Sequence, residues 1–130
     1  MAATLDDVAE IALRLPGAAE VEGRMGRAWA VGRTTFAWER PFSKADVRRF
    51  GDAPVPPLPV LAVRVDDLGE KEAVLGAGHR GVFTIPHFDG YAAVLLELRL
   101  VGKRVLRQVL EDGWAACASP DLLAERRPAR

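Results

Sequence analysis

The sequence predicts an α+β fold. It is a two-layer sandwich with an antiparallel sheet of about five strands, helices on one face of that sheet, and the element order α-β-β-β-α-β-β-α. Three observations carry this. Apolar residues recur at every second position in four stretches, Arg27–Val31, Thr34–Glu39, Val60–Val65 and Ala92–Leu100. They recur at spacings of three and four in Thr4–Leu15 and Gly102–Ala118, the pattern of helices with one buried face. Paired strands are joined by short turn-forming segments, and no run of alternating strands and helices is long enough for a parallel sheet.

In chain order, Thr4–Leu15 carries Leu5, Val8, Ile11, Ala12 and Leu15 on one stripe. Thr4 is placed to cap the helix, Asp6 and Asp7 suit its positive end, and Pro16-Gly17 stops it. Burying the four large side chains is worth on the order of 6–12 kcal/mol before entropy, so this helix docks. Glu20–Glu39 reads as two or three short strands with a hairpin across Gly32-Arg33. Simple alternation puts Trp29 with Val31, and Phe36 with Trp38, each pair on one face. Arg40–Pro59 is a proline-rich loop in which Ser43–Asp46 starts a single helical turn.

Val60–Val65 is a strand, and Asp66 or Asp67 then caps a helix running to Leu75, with Glu70 three residues after Asp67. Val82–Ile85 is a short strand. Ala92–Leu100 is a long one, with Val94, Leu96, Leu98 and Leu100 on one face and Ala93, Leu95, Glu97 and Arg99 on the other. The last helix, Gly102–Ala118, buries Val105, Leu106, Val109, Leu110, Trp114 and Cys117. A short turn then leads to a frayed tail at 126–130.

At 130 residues the chain is expected to form one domain, 1–130. Eighteen Lys and Arg balance eighteen Asp and Glu, which argues against a strong nonspecific nucleic-acid binder but leaves room for a local basic face. The acidic N-terminal stretch lacks the pattern of a secretory signal, and no run approaches the roughly 20 apolar residues of a membrane span. A single cysteine, Cys117, forms no internal disulfide, and its place on an apolar stripe makes it an inert core thiol. These points predict a cytoplasmic protein with no membrane partner.

The motifs resemble a known family. They are Leu15-Pro16-Gly17 closing the first helix, Arg27-Ala-Trp29, Gly32-Arg33-Thr-Thr-Phe36-Ala-Trp38, and Leu61-Ala-Val63-Arg64-Val65. Above all there is Phe83-Thr-Ile-Pro86-His87-Phe88-Asp89-Gly90-Tyr91 before the long strand. Over about residues 3–125 the chain resembles the MmcQ/YjbR family of small bacterial proteins, with Tyr91 where many relatives carry Trp. The resemblance implies a fold like that of type III secretion chaperones, with a five-stranded antiparallel sheet. It also implies DNA binding through a double-wing arrangement of hairpins, and it brings no catalytic residues.

The candidate chemistry is correspondingly narrow. Phosphate contacts would fall to arginines and a lysine of the first hairpin and long loop: Arg27, Arg33, Arg40, Lys44, Arg48 and Arg49. A small-ligand site would use His87, Asp89 and Tyr91, although Asp89-Gly90 is first of all a turn pair. His79, His87 and Asp89 alone have metal-ligand character, and no metal or other cofactor is expected of them. No nucleophile elbow, phosphate loop or CxxC motif occurs, so no enzyme is predicted. The alternative to DNA is a protein partner or a second copy of the chain, bound as by a chaperone-like module.

Overall fold

The computed structural model describes residues 2–126, and among them six strands form one antiparallel sheet in the order β1-β2-β3-β4-β6-β5. The strands are β1 (Ala18–Glu22), β2 (Arg27–Val31), β3 (Thr34–Glu39), β4 (Val60–Arg64), β5 (Val82–Phe83) and β6 (Ala93–Glu97). The helices are α1 (Leu5–Ala12), α2 (Lys44–Phe50), α3 (Leu68–Gly76), α4 (Lys103–Cys117) and α5 (Pro120–Arg126), with a 3-10 turn at Pro86–Phe88. The α+β architecture is thus as the patterning predicts. The sixth strand is β1, which pairs along its whole length with β2, Glu20 opposite Trp29. The tail expected at 126–130 lies outside the described residues beyond Arg126.

Helix α1 begins where the sequence says it should. Thr4 Oγ1 accepts the Asp7 N–H at 3.1 Å, and the Asp7 carboxylate accepts the Thr4 N–H at 2.9 Å. Its stripe and that of α4 cover one face of the sheet. Val8, Ala12, Leu106, Leu110 and Trp114 close there over Trp29, Val31, Leu61, Val63, Val94 and Leu96. The indole N–H of Trp114 donates to the Pro16 carbonyl at 2.9 Å and so ties the end of α4 to the corner after α1.

Helix α4 approaches the sheet closely at one point. A Cβ on Gly113 would stand 2.6 Å from Val63 Cγ1 and 2.9 Å from the Arg64 carbonyl oxygen. Gly113→Ala would gain about 1 kcal/mol of helix propensity, but the overlap with strand backbone costs about 1–3 kcal/mol or more. The expected net result is a less stable protein in urea melts. An alanine variant more stable than the parent would show that α4 sits farther out.

The pairing of β2 with β3 departs from simple alternation. Trp29 pairs with Ala37 and Ala30 with Thr35, leaving Phe36 as the extra residue of a β-bulge. Phe36 and Ala37 therefore both enter the main core, and Trp38 turns to the opposite face. Phe36 and Trp38 do not share a face, contrary to the period-two expectation. A bulge inserts one residue into the count, and period two cannot foresee it.

The other face is also covered, over its centre. Val60, Ala62, Ala93 and Leu95 point there and are fully buried beneath Ile85 and Phe88, with Phe42, Phe50 and Tyr91 packed around them. This cover comes from the long loop, where α2 is a full seven-residue helix instead of one turn, and from the 3-10 turn. Strand β6 ends at Glu97, earlier than its apolar run. The Glu97 carbonyl accepts both the Leu100 and Val101 N–H groups, so Leu98 stays in the core while Leu100 is turned outward.

Candidate ligand cleft

The turn before β6 is built from local chemistry. Pro86 opens a single 3-10 turn in which the Asp89 N–H reaches the Pro86 carbonyl at 3.0 Å. Asp89 (φ −60°, ψ 130°) and Gly90 (φ +74°) then form a type II turn closed by the Tyr91 N–H on the Phe88 carbonyl at 3.0 Å. Only glycine adopts the Gly90 conformation cheaply, which accounts for the Asp-Gly pair.

A residue the sequence reading did not single out holds this turn. Lys71 of α3 is 7% exposed, and its ammonium donates to the Phe88 carbonyl at 2.5 Å and the Tyr91 carbonyl at 2.8 Å. Burial lowers the Lys71 pKa, and the nearby Asp89 and Glu72 carboxylates oppose that shift. The signal was available. Lys71 lies three and four residues before Val74 and Leu75, the half-buried apolar residues of α3, and so shares their side of the helix.

Between this turn and the β1–β2 loop lies a cleft of about 710 Å³. That volume falls within the range typical of small-ligand sites. Trp38, placed there by the bulge, and Tyr91 form one wall, their ring centroids 6.4 Å apart and tilted by 53°. The Arg64 guanidinium carbon lies 5.9 Å from the Trp38 centroid and 5.5 Å from that of Tyr91, and its Nε donates to the Thr35 carbonyl at 2.8 Å. Phe88 meets Tyr91 edge to face at 5.4 Å. The far wall is the loop Gly23–Gly26, closed by the Gly23 N–H on the Gly26 carbonyl at 2.8 Å. Glu39 fixes its base by accepting the Arg27 N–H at 2.7 Å. A Cβ on Gly26 would lie 2.5 Å from that carboxylate, so a side chain there would displace the contact.

The structure separates the residues expected to bind phosphate. Arg27 is bonded through its guanidinium to Glu20 and Asp6, which hold its pKa above an already high ordinary value. Arg40, 7% exposed, lies under Phe88, with its guanidinium on the Pro41 carbonyl and paired to Asp46 at 3.0 Å. Arg33 is exposed at the β2–β3 turn, and Lys44, Arg48 and Arg49 are exposed on α2. Arg27 and Arg40 line the cleft, while Arg33, Lys44, Arg48 and Arg49 do not.

Of the three residues expected at a ligand site, His87 and Tyr91 border the cleft, and Asp89 serves the turn without lining it. Trp38 and Arg64 complete the constellation. The bulge decides the face that Trp38 takes, and Arg64, at the end of a buried strand, lies in the Leu61–Val65 motif, which assigns it no role. His79 is exposed beyond α3. Among the described residues no three His, Cys, Asp or Glu side chains converge as metal ligands, and no helix is long and apolar enough to cross a membrane. Cys117 is half-buried, and burial raises its thiol pKa.

No protein-family model matches this chain, and no solved structure matches it. It is 40% identical over 124 residues to the uncharacterized protein Rv2570 of Mycobacterium tuberculosis and, to the same extent, to the uncharacterized protein Mb2600 of Mycobacterium bovis. The alignment covers 93% of this chain and 93% of each relative. An identity of that size across nearly the whole of both chains makes this protein a member of the family to which these mycobacterial proteins belong.

Proposed function

We propose that the chain is a small-ligand-binding domain of the MmcQ/YjbR type, whose cleft between the Gly23–Gly26 loop and the Phe88–Tyr91 turn takes a planar ring. One observation supports this most. Trp38 and Tyr91, 53 residues apart in sequence, are brought to one cleft wall by two separate devices, the bulge at Phe36 and the Lys71 clamp. Neither aromatic is needed to complete the main core, which Trp29 and Phe36 fill. Duplex-DNA binding draws less support, since three of its six basic residues, Arg27, Arg40 and Arg49, already face carboxylates.

The test is a titration followed by Trp fluorescence and by the indole N–H resonances. Trp29 and Trp114 are buried, so a ligand in the cleft changes the Trp38 signal first. Planar heteroaromatics are expected to bind, and Tyr91→Ala to weaken them roughly tenfold, since ring stacking is worth about 1–3 kcal/mol. If no planar probe moves the Trp38 resonance, the proposal fails. A salt-dependent shift of labelled duplex that disappears on replacing Arg48 and Arg49 by alanine would favour the DNA reading instead.

A further inference from the structure

Arg64 is held in place but has no anionic partner. Its Nε bonds the Thr35 carbonyl, and its guanidinium is flanked by the Trp38 and Tyr91 rings. Among the described residues no carboxylate forms an ion pair with it, and no hydrogen bond occupies its Nη groups. Of the other cleft-lining arginines, Arg27 and Arg40 are paired to acids, and Arg24 is exposed on the Gly23–Gly26 loop, away from the two rings that flank Arg64. Of the two cleft carboxylates, Glu39 is engaged with the Arg27 backbone. A half-buried, oriented guanidinium with its outer fork open matches the two oxygens of a carboxylate or a phosphate.

We propose that the ligand of this cleft is a planar oxyanion, a ring bearing a carboxylate or a phosphate group, with Arg64 as the residue that selects the anion. This rests on the ligand-cleft reading and sharpens it. Arg64 lies 5.5 Å and 5.9 Å from the two ring centroids, so a ring beside them would present its anionic group to Arg64 from a direct or short attachment. An aromatic carboxylate meets that spacing directly, and a nucleoside monophosphate meets it through its ribose.

Isothermal titration with matched pairs tests the idea: quinoline-2-carboxylate against its carboxamide, and adenosine monophosphate against adenosine. At least one anion is expected to bind tenfold or more tightly than its neutral partner, and the pair that shows it identifies carboxylate or phosphate as the group recognised. Arg64→Gln is expected to bring that ratio close to one, and Arg64→Lys to restore only part of it, because lysine keeps the charge and loses the fork. Should Arg64→Gln fail to fold, the parent supplies a second measurement. Phosphate affinity should rise as the monoester goes from monoanion to dianion around pH 6. Equal binding of neutral and anionic partners overturns this inference and leaves the planar-ligand reading standing. Failure of every probe overturns both.

Discussion

Asp46→Asn is expected to destabilise the protein by about 3–5 kcal/mol, the cost of leaving a buried charge without its partner. Asp46 is 3% exposed and sits at the third position of α2. Its carboxylate accepts the Ser43 N–H at 3.0 Å and pairs with the Arg40 guanidinium at 3.0 Å. Burial by itself would raise the pKa of this carboxyl. The Ser43 N–H and the Arg40 charge outweigh burial and hold it below the ordinary 3.8. A carboxyl depressed in the folded state contributes stability that is complete above the unfolded-state value of about 3.8 and is lost as pH falls through the lower folded-state value. The parent should therefore lose this contribution only below about pH 4, while the Asn variant lacks it throughout. Urea melts at pH 7 and pH 3 decide the matter. If Asp46→Asn costs under 1 kcal/mol at pH 7, Arg40 does not depend on this partner. Adding Arg40→Met should recover part of the loss, since a buried pair replaced as a pair is far less costly than one broken in half.

Trp114→Ala should cost about 3–5 kcal/mol, a large share of the 5–15 kcal/mol that a domain of this size commonly has. Trp114 is among the largest fully enclosed side chains, and it joins α4, the sheet and the corner after α1. Truncation would open a cavity beneath the helix and leave the Pro16 carbonyl without its donor. Trp114→Phe keeps most of the ring and loses the N–H, for an expected cost of about 1–2 kcal/mol. Denaturation followed by far-ultraviolet circular dichroism, which does not depend on the deleted fluorophore, measures both. Equal losses for Ala and Phe would mean that the hydrogen bond, and not the packing, holds this corner.

These two sites differ in how far sequence alone reveals them. Trp114 lies on a clean helical stripe with Leu106, Val109 and Leu110, and its burial follows from period and size. Asp46 sits three residues after Ser43, a spacing that marks a helix start, but nothing local shows that Arg40 will fold back onto it. The same division holds at the cleft. Pro86, Asp89 and Gly90 form a turn that their own backbone preferences dictate. His87 and Tyr91 could be placed beside that turn for the same reason.

The main outlines follow from the chain itself: the α+β class, the capped first helix, the antiparallel pairing and the Asp-Gly turn. All of these rest on interactions within a few residues or on a repeating period. The other face of the sheet depends on contacts between distant segments. The bulge at Phe36 sends Trp38 across the sheet, Lys71 reaches 17 and 20 residues ahead to clamp the turn, and Arg64 bonds a carbonyl 29 residues behind it. A one-residue change of register alters which face every later side chain takes, and a charge finds its partner only once the strands are laid side by side. The cleft is therefore a product of the tertiary structure, assembled from residues whose sequence neighbours say little about their role.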